Sequence, residues 1–234
     1  MLVGMLVLSA CAHQAPRIDS IADEPYYHNP ALLEQAWKLP VAATYKPGFE
    51  YQINNAFCGP ATAVNALRSL GIARTQTDVF DNTGLWYWRV RVLGMTLDEM
   101  AQLMAANVSA DITVLRDLTG EEFRAELHKT NDLSYRYLIN FNRRPLFGID
   151  IGHHSPIGGY LETKDLVFVL DVLDNYQPFL VPADRLYEAM NTVDSETGKM
   201  RGLIRMRVTT QANLPAATSR PGSYSLITPD RSAP

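Results

Sequence analysis

Residues 52–62 read QINNAFCGPAT, and the residues after Cys58 have the apolar spacing of a helix. That period is carried by Ala61, Val64, Leu67 and Leu70. Cys58 is therefore predicted at a helix N-terminus, where unpaired N–H groups and the helix dipole stabilise negative charge. Such a position lowers the pKa of a cysteine from about 8.5 to roughly 3.5–7.5. With Gln52 upstream as a donor to an oxyanion, the stretch predicts a thiolate nucleophile.

The composition is that of an ordinary globular protein. The chain has 234 residues, of which 47% are apolar and 20% charged, and this predicts one domain with a possible appendage. The net charge is −4 and there is no basic stripe, so nothing favours nucleic-acid binding. No stretch approaches the roughly 20 apolar residues that a membrane-spanning helix needs.

The N-terminus resembles a bacterial lipoprotein signal. Residues 1–10 are apolar and end in Leu-Ser-Ala before Cys11, which implies cleavage before Cys11 and lipidation of its thiol. Ala12, where an Asp would retain the protein at the inner membrane, implies an exported, periplasmic protein anchored in the outer membrane of a Gram-negative bacterium. The alternative is a hydrophobic start with a chance cysteine. If the leader is removed, Cys58 is the one thiol left, and no intramolecular disulfide can form.

The rest of the chain divides by composition. Residues 11–30 are polar and contain proline, which predicts a tether between the anchor and the domain. Residues 31–208 form the predicted catalytic domain. Residues 209–234 are rich in Pro, Ser, Thr and Ala without a sustained apolar period, which predicts a flexible tail.

Within the domain, helices are predicted to precede strands. Capping boxes at Thr96/Glu99 and Thr119/Glu122 open helices over 97–107 and 120–128. The later predicted elements are a strand over 135–141, a hairpin of strands 157–161 and 166–171, a helix over 182–190 and a strand over 202–208. This order predicts an α+β fold with an antiparallel sheet.

The hairpin suggests which histidine assists the thiol. Three of the five histidines lie in the tether or at the end of a charged helix, which leaves His153 and His154. His153 and Asp171 are nearly equidistant from the hairpin turn, so their Cβ atoms are expected about 4.5–8 Å apart, close enough for a hydrogen bond. A zinc site formed by the two histidines is disfavoured, because neighbouring strand residues point to opposite faces.

Several motifs together resemble the phytochelatin synthases, which are papain-like enzymes that act on glutathione. They are Cys-Gly-Pro-Ala at 58–61, Gly-His-x-Ser-Pro-Ile-Gly-Gly-Tyr at 152–160, Leu-Asp-Val at 170–172, and Asp194 followed by Thr-Gly-Lys-x-Arg-Gly at 197–202. The resemblance spans roughly residues 30–208. It implies a papain-like fold in which a helical N-terminal half, with the nucleophile at a helix N-terminus, packs on an antiparallel sheet.

The resemblance also assigns roles by position. Cys58 would be the nucleophile, His153 the base, Asp171 the group that orients the imidazole, and Gln52 the oxyanion donor. Asp194, Arg201, Gly152 and Ser155 would bind substrate, although Asp194 and Arg201 could instead be a surface ion pair. The chain departs from the family at His154, which replaces an aromatic residue.

The implied reaction is acyl transfer on glutathione. A γ-Glu-Cys acyl-enzyme would form at Cys58 with release of glycine, and would be resolved mainly by water, with a second glutathione as the competing acceptor that yields phytochelatins. No metal or cofactor is expected in the protein itself, since cadmium or zinc would enter as a thiolate complex of the substrate. A homodimer fits the family.

Two other functions stay open. The first is a bacteriocin-processing-type cysteine peptidase, a class that also places Gln and Cys-Gly-Pro six residues apart. The second is a non-catalytic lipoprotein that binds thiols or metals.

Overall fold

The computed structural model describes residues 20–208 and 224–227. The helices of the first half are α1 (Pro30–Ala36), α2 (Pro40–Tyr45), α3 (Cys58–Arg68), α4 (Tyr87–Leu93) and α5 (Leu97–Asn107), and Cys58 begins the third of them. Three helices lie among the later strands: α6 (Gly120–Leu127), α7 (Arg144–Phe147) and α8 (Ala183–Met190).

Within the described residues, the strands form a single sheet in the order β5-β4-β3-β2-β6-β1-β7. Their bounds are β1 (Ala110–Arg116), β2 (Tyr135–Asn142), β3 (Gly152–Leu161), β4 (Leu166–Val169), β5 (Phe179–Pro182), β6 (Gly202–Val208) and β7 (Tyr224–Ile227). All neighbours pair antiparallel except β1 and β7, which are parallel.

The sheet separates two apolar cores. On one face, α3 and α5 contribute Val64, Leu67 and Met104, which pack with Leu138 of β2. On the other face, α6 and α8 contribute side chains such as Phe123 and Leu186, and Ile139 of β2 joins this second core. Successive residues of β2 serve opposite cores because strand side chains alternate in direction. Burial on both faces holds β2 and β3 firmly at the centre of the molecule.

The predicted α+β architecture with an antiparallel sheet is confirmed. The helix at 97–107 has the predicted bounds, and both capping boxes form. The predicted hairpin forms as β3 and β4, with a register shift between Ile157 and Gly159. Helices α1, α2 and α4, and strands β1 and β5, lie in segments for which the sequence pattern gave no element.

Two predicted boundaries are wrong in the described residues. Residues 20–30, assigned to a tether, belong to the fold, because Ile21 and Tyr27 are buried in the second core. Residues 224–227, assigned to a flexible tail, form strand β7 beside β1. The remainder of that tail, the apolar leader and the predicted lipidation site Cys11 lie outside the described residues, so those assignments stay predictions. Among residues 20–208 and 224–227, no helix has the length and apolar character to cross a bilayer.

Candidate active site

Cys58 is the first residue of α3, as predicted. No side chain caps this end of the helix, so main-chain N–H groups of the first turn can stabilise a negative charge, although Pro60 has no N–H to contribute. Gly59 is required because the Met95 side chain occupies the place that a Cβ would take. Cys58 as a whole residue is 9% exposed, and it packs with Ala61 and Val172. A thiolate at this position is therefore largely shielded from solvent and lies at the positive end of the helix dipole.

The structure brings Cys58, His153 and Asp171 together. His153 Nε2 lies 3.0 Å from Asp171 Oδ1. The Cys58 side chain lies near enough to His153 for each to shift the pKa of the other, and Nδ1 is the ring nitrogen that Asp171 leaves available to sulfur. Both His153 and Asp171 are almost completely buried. The hairpin accounts for this contact, because β4 ends at Val169 and Asp171 follows two residues later, beside the start of β3.

The electrostatics of the site favour a thiolate paired with an imidazolium. Burial acts to raise the pKa of the Cys58 thiol, but the hydrogen bond and charge of His153, with the main-chain N–H of His154, lower the pKa overall. Burial acts to lower the pKa of His153, but the Asp171 carboxylate raises it overall. The two shifts have opposite signs, as expected for a nucleophile and base that share a proton.

Arg143 neutralises Asp171, and sequence reasoning missed it. Its Nη2 donates to Asp171 Oδ2 at 2.7 Å and to Oδ1 at 3.0 Å. The guanidinium also lies 3.7 Å from the centre of the Tyr176 ring, which is a close cation–π contact. Asp171 is fully buried, and a buried carboxylate requires such a partner. The need of a buried Asp171 for a cationic partner could have indicated Arg143 from the sequence, because Arg143 directly follows β2 and β2 pairs with β3.

Gln52 is held near the N-terminus of α3 by one main-chain and one side-chain hydrogen bond. Its main-chain N–H donates to the carbonyl of Val172 at 2.8 Å, and Val172 packs against Cys58. Its side-chain Nε2 donates to the carbonyl of Asn54 at 2.9 Å. An amide nitrogen carries two hydrogens, so one N–H remains for a ligand.

Arg201 is buried and pairs with Asp194, which is partly buried. Arg201 is 7% exposed, and its Nη1 lies 3.6 Å from Asp194 Oδ2 and 2.9 Å from Asn140 Oδ1. The alternative of a surface ion pair is therefore wrong. A Cβ on residue 152 would lie 2.6 Å from Arg201 Nη1, which explains why this position is glycine. Arg201 Nε is buried and has no acceptor in the described part of the chain, so the guanidinium retains a donor for a ligand.

The surroundings of His154 and Ser155 do not support a part for either side chain in catalysis or in direct contact with substrate. His154 Nε2 lies 3.0 Å from the carbonyl of Met95, and burial lowers the pKa of this histidine to about 4, so it is neutral. It holds the loop between α4 and α5 against β3. Ser155 is fully buried opposite Ile139. A direct contact between Ser155 and substrate, which the family resemblance implies, is therefore not supported.

No group of three or more His, Cys, Asp or Glu side chains that could hold a metal ion occurs within residues 20–208 and 224–227. His153 and His154 have separate partners, Asp171 and Met95.

Comparison with known proteins shows the family of the chain. Residues 28–203 match the phytochelatin synthase family. The chain belongs to the phytochelatin synthase family. The matched range contains all the residues predicted to form the catalytic and substrate-binding site.

Curated relatives within this family are glutathione gamma-glutamylcysteinyltransferases. The chain is 33% identical over 177 residues to enzyme 1 of Triticum aestivum, covering 67% of this chain and 34% of the relative. It is 32% identical over 171 residues to enzyme 3 of Lotus japonicus (66% and 35%) and 28% identical over 165 residues to the Schizosaccharomyces pombe enzyme (64% and 39%). The chain thus spans little more than a third of the length of these relatives.

Among solved structures, the chain is similar to two peptidases at low sequence identity. The peptidase domain of Streptococcus ComA gives a TM-score of 0.46 at 14% identity, covering 68% of this chain and 97% of that domain. A putative C39-like peptidase from Bacillus anthracis gives a TM-score of 0.48 at 15% identity, covering 69% of this chain and 94% of that chain.

Proposed function

We propose that this protein is a thiol acyltransferase that acts on glutathione, with Cys58 as nucleophile, His153 as general acid and base, and Asp171 as the group that orients the imidazole. The observation that carries this proposal is the convergence of three groups at the N-terminus of α3: the Cys58 thiol, the His153 imidazole beside it, and the Asp171 carboxylate 3.0 Å from His153 Nε2. The family of the chain supplies the substrate class, because its curated relatives transfer the γ-glutamylcysteinyl group of glutathione.

In the first half-reaction, the Cys58 thiolate attacks the carbonyl carbon of the Cys–Gly peptide bond. The free N–H of the Gln52 side chain and the main-chain N–H of Cys58 stabilise the tetrahedral oxyanion. The His153 imidazolium then donates its proton to the glycine nitrogen, the C–N bond breaks, and glycine leaves. A γ-Glu-Cys thioester remains on Cys58.

In the second half-reaction, His153 is neutral and acts as a base. It removes a proton from water, which attacks the thioester and releases γ-Glu-Cys, and Cys58 regains its thiolate. The amine of a second glutathione is the competing nucleophile, and it would extend the peptide by one γ-Glu-Cys unit. We propose that water is the main acceptor.

Arg201 is the proposed anchor for the substrate. Its buried Nε–H lacks an acceptor among the described residues, and the guanidinium packs against Gly152, the residue before His153. An arginine with free donors suits a carboxylate, and glutathione offers one at each end. Cadmium or zinc would enter with the substrate as a thiolate complex, because these ions prefer thiolate ligands.

Mass spectrometry after incubation with glutathione tests the proposal. We expect free glycine and γ-Glu-Cys, with peptides of two or more γ-Glu-Cys units as minor products that increase when cadmium is added. Cleavage of leader peptides after paired glycines, without glycine release from glutathione, would instead identify a bacteriocin-processing-type peptidase. Absence of turnover on both substrates would support a non-catalytic binding protein.

The pH dependence of kcat/KM tests the ion pair directly. Activity is expected to rise with pH through the lowered pKa of Cys58, as the thiolate forms, and to fall at higher pH through the raised pKa of His153, as the imidazolium is lost. The thiolate ultraviolet absorbance, with the Cys58→Ser spectrum subtracted, should follow the acid limb. A thiolate signal that develops only near the ordinary cysteine pKa would contradict the pairing.

A further inference from the structure

The segment from Asp194 to Lys199, named here the substrate turn, folds back on itself directly before Arg201. The Asp194 N–H donates to the carbonyl of Lys199 at 2.8 Å, and the Gly198 N–H donates to the carbonyl of Asp194 at 2.8 Å. Gly198 has a φ of 69°, a conformation that glycine adopts without strain. The Arg201 N–H donates to the carbonyl of Thr192 at 2.9 Å, so a main-chain hydrogen bond closes the base of the turn at the proposed anchor for the substrate.

One ionic link joins this turn to α4. The Arg89 guanidinium pairs with Glu196 in the substrate turn, and its Nη1 lies 2.7 Å from Glu99 Oε1 in the first turn of α5. Glu99 is itself fixed, because its Oε2 accepts from the Thr96 N–H at 2.8 Å in the capping box. The link therefore begins at a rigid helix end and ends on the turn.

A second link joins the turn to α5 and β1. Asp98 Oδ2 lies 2.8 Å from Lys199 Nζ, and Asp98 Oδ1 lies 2.8 Å from Arg116 Nη1. Arg116 Nε also donates to the carbonyl of Met200 at 2.8 Å. Partial burial acts to raise the pKa of Asp98, but Lys199 and Arg116 lower it overall, so Asp98 is ionised near neutral pH.

We propose that Arg89, Asp98 and Arg116 are positioning residues that hold the substrate turn, and through it Asp194 and Arg201, in the conformation that binds the carboxylate of the substrate. The inference rests on the proposed function of Arg201. The partners of these residues in the described part of the chain do not include Cys58 or His153, so we expect them to affect substrate affinity rather than the chemical steps. Loosening the turn lets Arg201 sample orientations in which its free donors are not directed at the substrate, and each added conformation weakens binding.

The test replaces one link at a time. Asp98→Asn, Lys199→Gln and Arg89→Gln are each expected to raise KM for glutathione about three- to tenfold, the size expected for one or two partly exposed ion pairs, with kcat changed less than about twofold. Lys199→Gln is the safest of the three for folding, since its side chain is 54% exposed. In the double variant Asp98→Asn/Lys199→Gln, the effect on KM should be smaller than the product of the single effects, because the two residues share one link.

Arg124→Gln is the matched control. Arg124 also lies on a helix and also pairs with a carboxylate on a turn, Asp165, but that turn joins β3 to β4 at the far end of β3 from His153. KM and kcat of Arg124→Gln should equal those of the wild type.

Hydrogen exchange provides a readout that does not depend on substrate. In the three link variants, amides in a peptide that covers residues 192–201 should exchange faster than in the wild type, and in Arg124→Gln they should not. Unchanged exchange in the link variants overturns the positioning role, and so does faster exchange with an unchanged KM. In either case, glycine release by the wild type leaves the proposed function intact. A wild-type chain that does not release glycine rejects the proposed function itself.

Discussion

Cys58→Ser is expected to abolish glycine release from glutathione, with a loss of at least about 10⁴-fold in kcat, because a serine hydroxyl at this position is not ionised and is a poor nucleophile. The hydrogen bond to His153 can be kept, but the charge that attacks the carbonyl carbon is lost. Product analysis by mass spectrometry under single-turnover conditions measures the effect. In the wild type it should also reveal a protein mass increased by one γ-Glu-Cys unit, and this increase should be missing in the variant.

The fold should survive this substitution. Oxygen is smaller than sulfur, and the thiol packs against only a small apolar group formed with Ala61 and Val172, so the melting temperature should change by no more than a few degrees. A folded variant with no turnover supports the acyl-enzyme. A folded variant that still releases glycine at a rate near the wild type would remove Cys58 from the reaction, and with it the proposed function.

The three central residues could be predicted because each is specified by a local pattern. Cys58 follows from the apolar period of one helix, and the contact between His153 and Asp171 follows from the symmetry of one hairpin about its turn. The helix and the hairpin bury side chains on defined faces, and that burial fixes their register. The fold class followed from the same elements.

The partners of the site residues and the packing of residues 20–30 could not be predicted, because they depend on contacts between distant segments. The sequence carries no periodic signal for such contacts. Arg143 reaches Asp171 across 28 residues, and Asn140 reaches Arg201 across 61. Residues 20–30 resemble a polar tether in composition, yet Ile21 and Tyr27 are buried against strands that come much later in the chain. Single apolar side chains in a polar segment are compatible with both outcomes, and tertiary packing decides between them.

Asp171→Asn is expected to have the largest effect on stability in this site. Asp171 is fully buried and Arg143 is 2% exposed, so removal of the carboxylate leaves the guanidinium buried without a counter-charge. Loss of one partner of a buried pair costs about 3–5 kcal/mol in the free energy of unfolding. Denaturant unfolding of the wild type and the variant measures this difference.

The same substitution should lower kcat by about 10⁴-fold through the tautomer of His153. Asp171 accepts a hydrogen bond from Nε2–H, and this keeps the lone pair on Nδ1, where the proton of the Cys58 thiol must go. The amide of an asparagine can instead donate to Nε2, which favours a proton on Nδ1. Because the Asp171 carboxylate also raises the pKa of His153, the alkaline limb of any residual activity should move to lower pH.

The double variant Asp171→Asn/Arg143→Gln separates stability from catalysis. Removal of both charges eliminates the unpaired guanidinium, so the double variant should be more stable than Asp171→Asn alone, although it loses the contact between Arg143 and Tyr176. Its activity should stay as low as that of Asp171→Asn, because neither residue can restore the tautomer of His153. A double variant less stable than either single variant would mean that packing of the arginine, rather than neutralisation of the carboxylate, is what Arg143 contributes. A double variant that regains activity would mean that the carboxylate is dispensable and that the buried charge alone had impaired Asp171→Asn.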